Sequence, residues 1–257
     1  LPYQGSKGRF ADEIVALFPK AENFVDLFFG GGAVTHAAML SGKFENFIAN
    51  DLHKTPQAWN RCAEGDIGDL FRFVGREEFK ETDDMLVKMV WSFGASCKTY
   101  LSDDPVRLSI ARAIMDSDPI ERKGAILELL RLLGKDPANI YASKHTAATH
   151  FNLLKRLAAI KGLPKVACHN LDYREVVIPE NSVVYCDPPY EGTEGYGNKF
   201  DHTAFWEWVR TREFPVFVSE RSAPEDFMSV HCRKIDGRFN GFSGTREEGL
   251  FVHRRFA

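Results

Sequence analysis

Hydrophobic positions along this chain change period several times, and the changes outline its elements. Phe10 to Phe18 carries apolar residues at helical spacing and stops at Pro19, which predicts an amphipathic helix. Asn23 to Phe29 is a short apolar run entering Gly30-Gly31-Gly32, as a buried strand would. A helix is predicted over Ala33 to Leu40, ended by Ser41-Gly42. A second strand follows over Phe44 to Ala49, leading to Asn50-Asp51. Two strands joined through a helix predict parallel pairing with a crossover.

From about 53 to 165 the strand pattern gives way to helical periodicity. Helices are predicted over 56–63, 66–74, 83–91, 105–115, 120–133 and 147–160, with polar loops between them. Strands return at Lys165 to His169, Ser182 to Cys186 and Val216 to Ser219. Arg233 to Asp236 and Leu250 to Arg255, joined through a Gly-rich turn, read as an antiparallel hairpin. The fold class is therefore α/β. One sheet domain is expected from 1–52 and 166–257, interrupted by a helical insert at 53–165.

Composition narrows this picture only modestly. The 257 residues are 44% hydrophobic and 27% charged, an ordinary balance with enough apolar residues for a core. No window supplies the ~18 apolar residues of a membrane helix. Five cysteines without a C-x-x-C pair suggest reduced thiols and a cytoplasmic setting. His145 and His150 lack the partners of a zinc motif, so no metal is expected. The net charge of -3 argues against a uniformly basic nucleic-acid binder. Within 119–165, however, nine Lys and Arg face three acidic residues, a pattern that suits phosphates or a solvated helical face.

Two motifs carry chemistry. The glycine-rich turn at Asp26 to Val34 lets a ligand approach the backbone, and Asp51 closes the next strand, where a carboxylate can accept ribose hydroxyls. A dinucleotide enzyme would share both features, although position 35 is Thr where that fingerprint has its third glycine. The second motif is Asp187-Pro188-Pro189-Tyr190, directly after the apolar run Val183 to Cys186. A ring amino group is a poor nucleophile because its lone pair is delocalised. The Asp187 carboxylate and the Pro188 carbonyl are two acceptors for its two N–H bonds. The prolines stiffen the loop, and Tyr190 offers a face for a flat ring.

At these motifs the chain resembles the D12-class, Dam-type, DNA adenine-N6 methyltransferases. Pro2 to Lys7 resembles the family's N-terminal motif, Asp26 to Val34 its F-x-G-x-G loop, and Asn50-Asp51-Leu52 its acidic ribose site. Asn170 to Tyr173 resembles the segment that meets the cofactor's adenine, and Asp187 to Tyr190 matches the catalytic motif. The motif order is that of the alpha group. Phe29 and Gly31 depart from the commoner F-x-G-A-G form, and the insert holds no segment that aligns with the Dam target-reading hairpin. Val90 to Gly94 and Phe205 to Trp208 look phage-like.

The resemblance implies a Rossmann-like class I sheet, S-adenosylmethionine as methyl donor and S-adenosylhomocysteine as product. It implies Tyr3, Lys7, Asp26, Phe28, Gly30, Gly32, Asp51, Leu52 and Asp172 around the cofactor. Lys7 and Asp26 would lie at the cofactor's amino-acid end, Asp51 at its ribose and Asp172 at its adenine. Asp187, Pro188, Pro189 and Tyr190 would hold an adenine flipped out of double-stranded DNA, for direct in-line transfer. Lys98, Thr99, Tyr100, Lys144, Lys155 and Arg156 are the candidate DNA contacts in the insert. Where the enzyme serves a restriction system, a cognate endonuclease is a further partner. The chain itself is read as a monomer or weak dimer. Competing readings are an RNA adenine or protein glutamine methyltransferase of the same fold, a catalytically idle DNA-binding module, and a dinucleotide oxidoreductase.

Overall fold

The structure is a computed structural model; it describes residues 1, 6–67, 70, 74–92, 96–100, 156–190, 200–239 and 242–257, with backbone alone at 235–239 and 242–246. The chain divides into two compact units. One comprises Leu1–Ser6 and Gln57–Lys165, the other Lys7–Pro56 and Val166–Ala257.

The second unit is built on a seven-stranded sheet in the order β3-β2-β1-β4-β5-β7-β6. Its strands are β1 (Asn23–Asp26), β2 (Asn46–Asn50), β3 (Ala167–His169), β4 (Ser182–Cys186), β5 (Val216–Glu220), β6 (Phe227–Phe239) and β7 (Phe242–His253). The first five pair in parallel, and β7 lies antiparallel between β5 and β6. This is a Rossmann-like open sheet, parallel except at its terminal hairpin. The hairpin is longer than the sequence pattern suggests, and its register shifts between Ser229 and His231.

Strands β1, β4 and β5 are buried at every position, which is why they read as continuous apolar runs. Register separates their two faces. Phe24, Tyr185 and Phe217 meet Phe18, from the chain just beyond α1 (Ala11–Ala16), and Phe24 also meets Phe44. Val25, Val184, Cys186, Val216 and Val218 pack with Phe205, Trp206 and Val209 of helix α6 (His202–Arg210). The sequence pattern did not predict α6, a helix of only nine residues; Asp201 starts it by accepting the Ala204 N–H at 3.0 Å. On the same side as Phe18, α2 (Ala33–Ser41) follows the glycine turn and α1 contacts it.

Strand order reverses between β1 and β4: one branch runs outward through β2 to β3, the other through β5 to the hairpin. The carboxyl ends of β1 and β4 therefore flank a topological switch point, where open α/β sheets bind ligands. Asp26, the glycine turn and Asp187 all stand there.

The first unit is helical where it is described. Helix α3 (Thr55–Glu64) begins at its boundary, and α4 (Arg76–Glu81) and α5 (Met85–Val90) follow. Asp84 starts α5 by accepting from Leu86 N at 2.8 Å, and its other oxygen takes Arg61 at 2.7 Å. Helix α4 falls between predicted segments, because only Phe79 of its six residues is buried. The predicted helices at 105–115 and 120–133 lie outside the described residues, as does most of those at 66–74 and 147–160.

Candidate active site

Five chain segments converge at the switch point: β1 with its glycine turn, β2, β4, β7 and the stretch at Lys7. From β1 comes Asp26, 1% exposed. Its carboxylate accepts the Thr35 hydroxyl at 2.8 Å and the Phe28 N–H at 3.3 Å. Burial drives its pKa up to about 7, with the Thr35 hydrogen bond opposing and the charge of Asp187 adding to the rise. The glycine turn follows. Gly30 and Gly32 hold φ of 49° and 68°, the left-handed region that favours glycine. A Cβ on Gly32 would stand 2.3 Å from the Phe29 ring, so the ring closes one side of a backbone cradle.

From β2 come Asn50 and Asp51. Asn50 is buried and ties three groups: it donates to Leu27 O at 3.1 Å and Leu171 O at 3.0 Å, and accepts Leu171 N–H at 3.0 Å. Asp51 accepts Gly30 N–H and His53 N–H, each at 2.8 Å. Burial raises its pKa, while those two N–H groups restrain the rise. The carboxylate keeps lone-pair capacity for a ligand hydroxyl. Beside this site Leu52 is 75% exposed and Leu171 40%, two apolar side chains left at the surface.

Strand β4 delivers Asp187, at whose end the prolines begin. Its Oδ2 accepts the Lys7 ammonium at 2.6 Å, and Lys7 also lies 3.1 Å from Glu248 of β7. Burial raises the pKa of Asp187, and Lys7 works against that. Burial disfavours the Lys7 charge as well, but Asp187, Tyr185 and Glu248 overcome it and hold the pKa well above the ordinary lysine range. Tyr190 has the Lys7 ammonium 5.0 Å from its ring centroid and the Arg221 guanidinium at 5.3 Å.

The site thus has more carboxylates than cations: Asp26, Asp51, Asp187 and Glu248 against Lys7 and Arg221. Such a cleft suits a ligand that brings positive charge near Asp26 and hydroxyls near Asp51. The residues present fit S-adenosylmethionine on those grounds. Among the described residues, no cluster of three or more His, Cys, Asp or Glu is arranged to hold a metal ion.

Phe28 packs edge-on against Phe200 and Phe205 and tilted against Tyr173, within an aromatic cluster. Asp172 sits at the surface, paired with Arg174 through 2.7 and 2.8 Å bonds, which hold its carboxyl below the usual range. Tyr3 lies outside the described residues, as do Lys144 and Lys155. Lys98, Thr99 and Arg156 are exposed. Tyr100, expected to reach bases, is instead 7% exposed, with its hydroxyl on Val74 O at 2.9 Å and its ring against Phe79. Three contributors escaped the sequence reading. Thr35 had a signal, since it replaces the third fingerprint glycine. Asn50 had one in its place beside Asp51. Glu248 had none.

Residues 3–84 match the sequence family of D12 class N6 adenine-specific DNA methyltransferases. The match covers Lys7, Asp26, the glycine turn and Asp51, and ends before Asp187. It implies S-adenosylmethionine as methyl donor. No curated protein matches the chain. Two solved structures resemble it weakly. The rRNA methyltransferase aviRa from Streptomyces viridochromogenes is 15% identical, with 96% of this chain and 85% of that one covered and a TM-score of 0.38. PH1948 from Pyrococcus horikoshii, described as a candidate RNA methyltransferase, is 12% identical, with 97% and 85% covered and a TM-score of 0.41.

Proposed function

We propose that this protein transfers a methyl group from S-adenosylmethionine to the N6 amino group of adenine in double-stranded DNA. The observation that carries the proposal is the placement of Asp187. It stands at the carboxyl end of β4, across the switch point from Asp26 and the glycine turn, in a motif of two prolines and an aromatic ring. When bound, S-adenosylmethionine supplies an electrophilic methyl group. The chain's own residues do the rest.

Asp51 accepts hydroxyls and Asp26 faces positive charge. The turn at Gly30 to Gly32 admits the ligand to the backbone. Asp187 and the Pro188 carbonyl accept the two N–H bonds of the target amino group, favouring a pyramidal nitrogen with its lone pair free for attack. Pro189 holds the loop, and Tyr190 stacks the base for roughly 1–3 kcal/mol. A base within a duplex cannot reach this position, so the reading requires base flipping, at a few kcal/mol.

The unit containing 57–165 is assigned to target binding. Lys98, Thr99 and Arg156 are its exposed candidates, with Lys144 and Lys155 beyond the described residues. Phosphate contacts of this kind give affinity that falls as salt rises.

The test is tritiated-methyl transfer, run in parallel on DNA, RNA and protein. DNA labelled at adenine N6 is the expected product. Asp187→Ala should lower kcat by at least ~100-fold while a thermal shift with S-adenosylmethionine persists. Label confined to RNA or to glutamine, or turnover retained in Asp187→Ala, overturns the reading.

A further inference from the structure

Asp187 meets its substrate with one carboxylate oxygen already engaged. The ammonium of Lys7, itself buried, holds Oδ2 at 2.6 Å. A carboxylate bound to an ammonium is a weaker acceptor for an incoming N–H, because the cation draws on the same lone pairs. The same ammonium already lies 3.1 Å from Glu248 Oε1. Passing from one carboxylate to the other therefore takes only a small movement of the Lys7 tip. Without Glu248, a buried ammonium leaving Asp187 would be unpaired, which is costly.

We propose that Glu248 is a positioning residue for Asp187: it receives the Lys7 ammonium when a substrate amino group arrives, and so frees the catalytic carboxylate to accept the N–H. This inference rests on the methyl-transfer reading above and adds to it a residue from β7, a strand the catalytic motifs do not include. Glu248 touches neither substrate nor cofactor in this scheme. It acts through Lys7.

The charged and titratable groups around Asp187 are few. Lys7 comes from the segment before α1, Glu248 from β7, Asp26 from β1, and Tyr185 and Cys186 from β4, while Arg221, just beyond β5, lies 5.3 Å from the Tyr190 ring that Lys7 also faces. Both Asp187 and Glu248 reach one ammonium, so the two carboxylates are less than ~6 Å apart and each disfavours the other's charge. Removing the charge of Glu248 has two effects with the same sign: Asp187 loses a repulsive neighbour and gains undivided contact with Lys7. Asp187 then stays ionised to lower pH, yet it is capped more firmly.

The experiment is the pH dependence of kcat, and of KM for DNA, in wild type, Glu248→Gln and Glu248→Asp. For Glu248→Gln the acid limb of kcat should move down by on the order of one pH unit. Plateau kcat should fall about tenfold with KM for DNA little changed. Glu248→Asp keeps the charge and should restore the limb and most of kcat. Melting curves check the fold, and Glu248→Ser, which admits water to Lys7, replaces Glu248→Gln if that variant does not fold; the same limb shift is expected. An unmoved limb in an active enzyme overturns the inference, as does a kcat loss that Glu248→Asp fails to restore. A wild type that labels no DNA overturns the methyl-transfer reading, and this inference with it.

Discussion

Asn50 offers the sharpest test of how the cleft is held. Its side chain ties the end of β1, through Leu27 O, to the loop after β3, through both backbone groups of Leu171. Asn50→Ala removes all three bonds and leaves their partners behind. The bond to Leu27 O is buried, and losing a partner there costs about 1–3 kcal/mol. The two bonds to Leu171 are part-buried, and water can replace them in part, so each counts for about 0.5–1 kcal/mol. The sum is about 2–5 kcal/mol, or roughly 4–20 °C in Tm for a chain of this size. Thermal melting followed by circular dichroism reads it. Asn50→Asp sharpens the result. Its carboxylate can accept Leu171 N–H but sets lone pairs against two carbonyls, and protonation restores one donor. A buried acid has its folded pKa raised, so stability relative to wild type should be best below about pH 4 and fall as pH rises. A loss in Asn50→Ala below ~0.5 kcal/mol, or an Asn50→Asp variant indifferent to pH, would refute the reasoning.

Two further substitutions probe the same cleft. Gly32→Ala forces a Cβ into a left-handed residue, 2.3 Å from the Phe29 ring, and should destabilise by about 2–3 kcal/mol and weaken S-adenosylmethionine binding; urea denaturation and calorimetry would read both, and an unchanged midpoint would contradict the geometry. Asp26 has a folded pKa raised to about 7, so its stabilising contribution is full below its unfolded value near 4 and lost as pH rises through 7. Asp26→Asn removes that loss: it should gain on wild type by about 2–4 kcal/mol between pH 4 and 7, while losing affinity for S-adenosylmethionine; a stability difference independent of pH would refute the assignment.

Much of the sheet was legible because its central strands are buried on both faces and leave unbroken apolar runs. Val183 to Cys186 could be read as a strand from composition alone. The strand expected to reach Phe29 ends at Asp26, because Phe28 N–H turns onto the Asp26 carboxylate and Gly30 takes a positive φ. Helix α6 was missed because it is only nine residues long and buries three side chains, Phe205, Trp206 and Val209. Asp187, Asp51 and the glycine turn were legible because backbone constraint and charge leave marks on local sequence. Glu248 was not, since its meaning depends on a hairpin register that brings it to Lys7 from the far end of the chain. Tyr100 was misplaced for a related reason. An aromatic after a polar loop looks available, and only packing reveals that its hydroxyl closes onto Val74 O.

The order of the strands bears on how the chain is made. Strand β1 lies between β2 and β4, yet β4 begins at Ser182, long after β1 has left the ribosome. Until then one greasy edge of β1 stays unfilled, beside a parallel ribbon of two strands that only β3 extends shortly before, and such distant pairings form slowly. A truncated product ending near residue 84 should therefore aggregate rather than survive as a small stable protein.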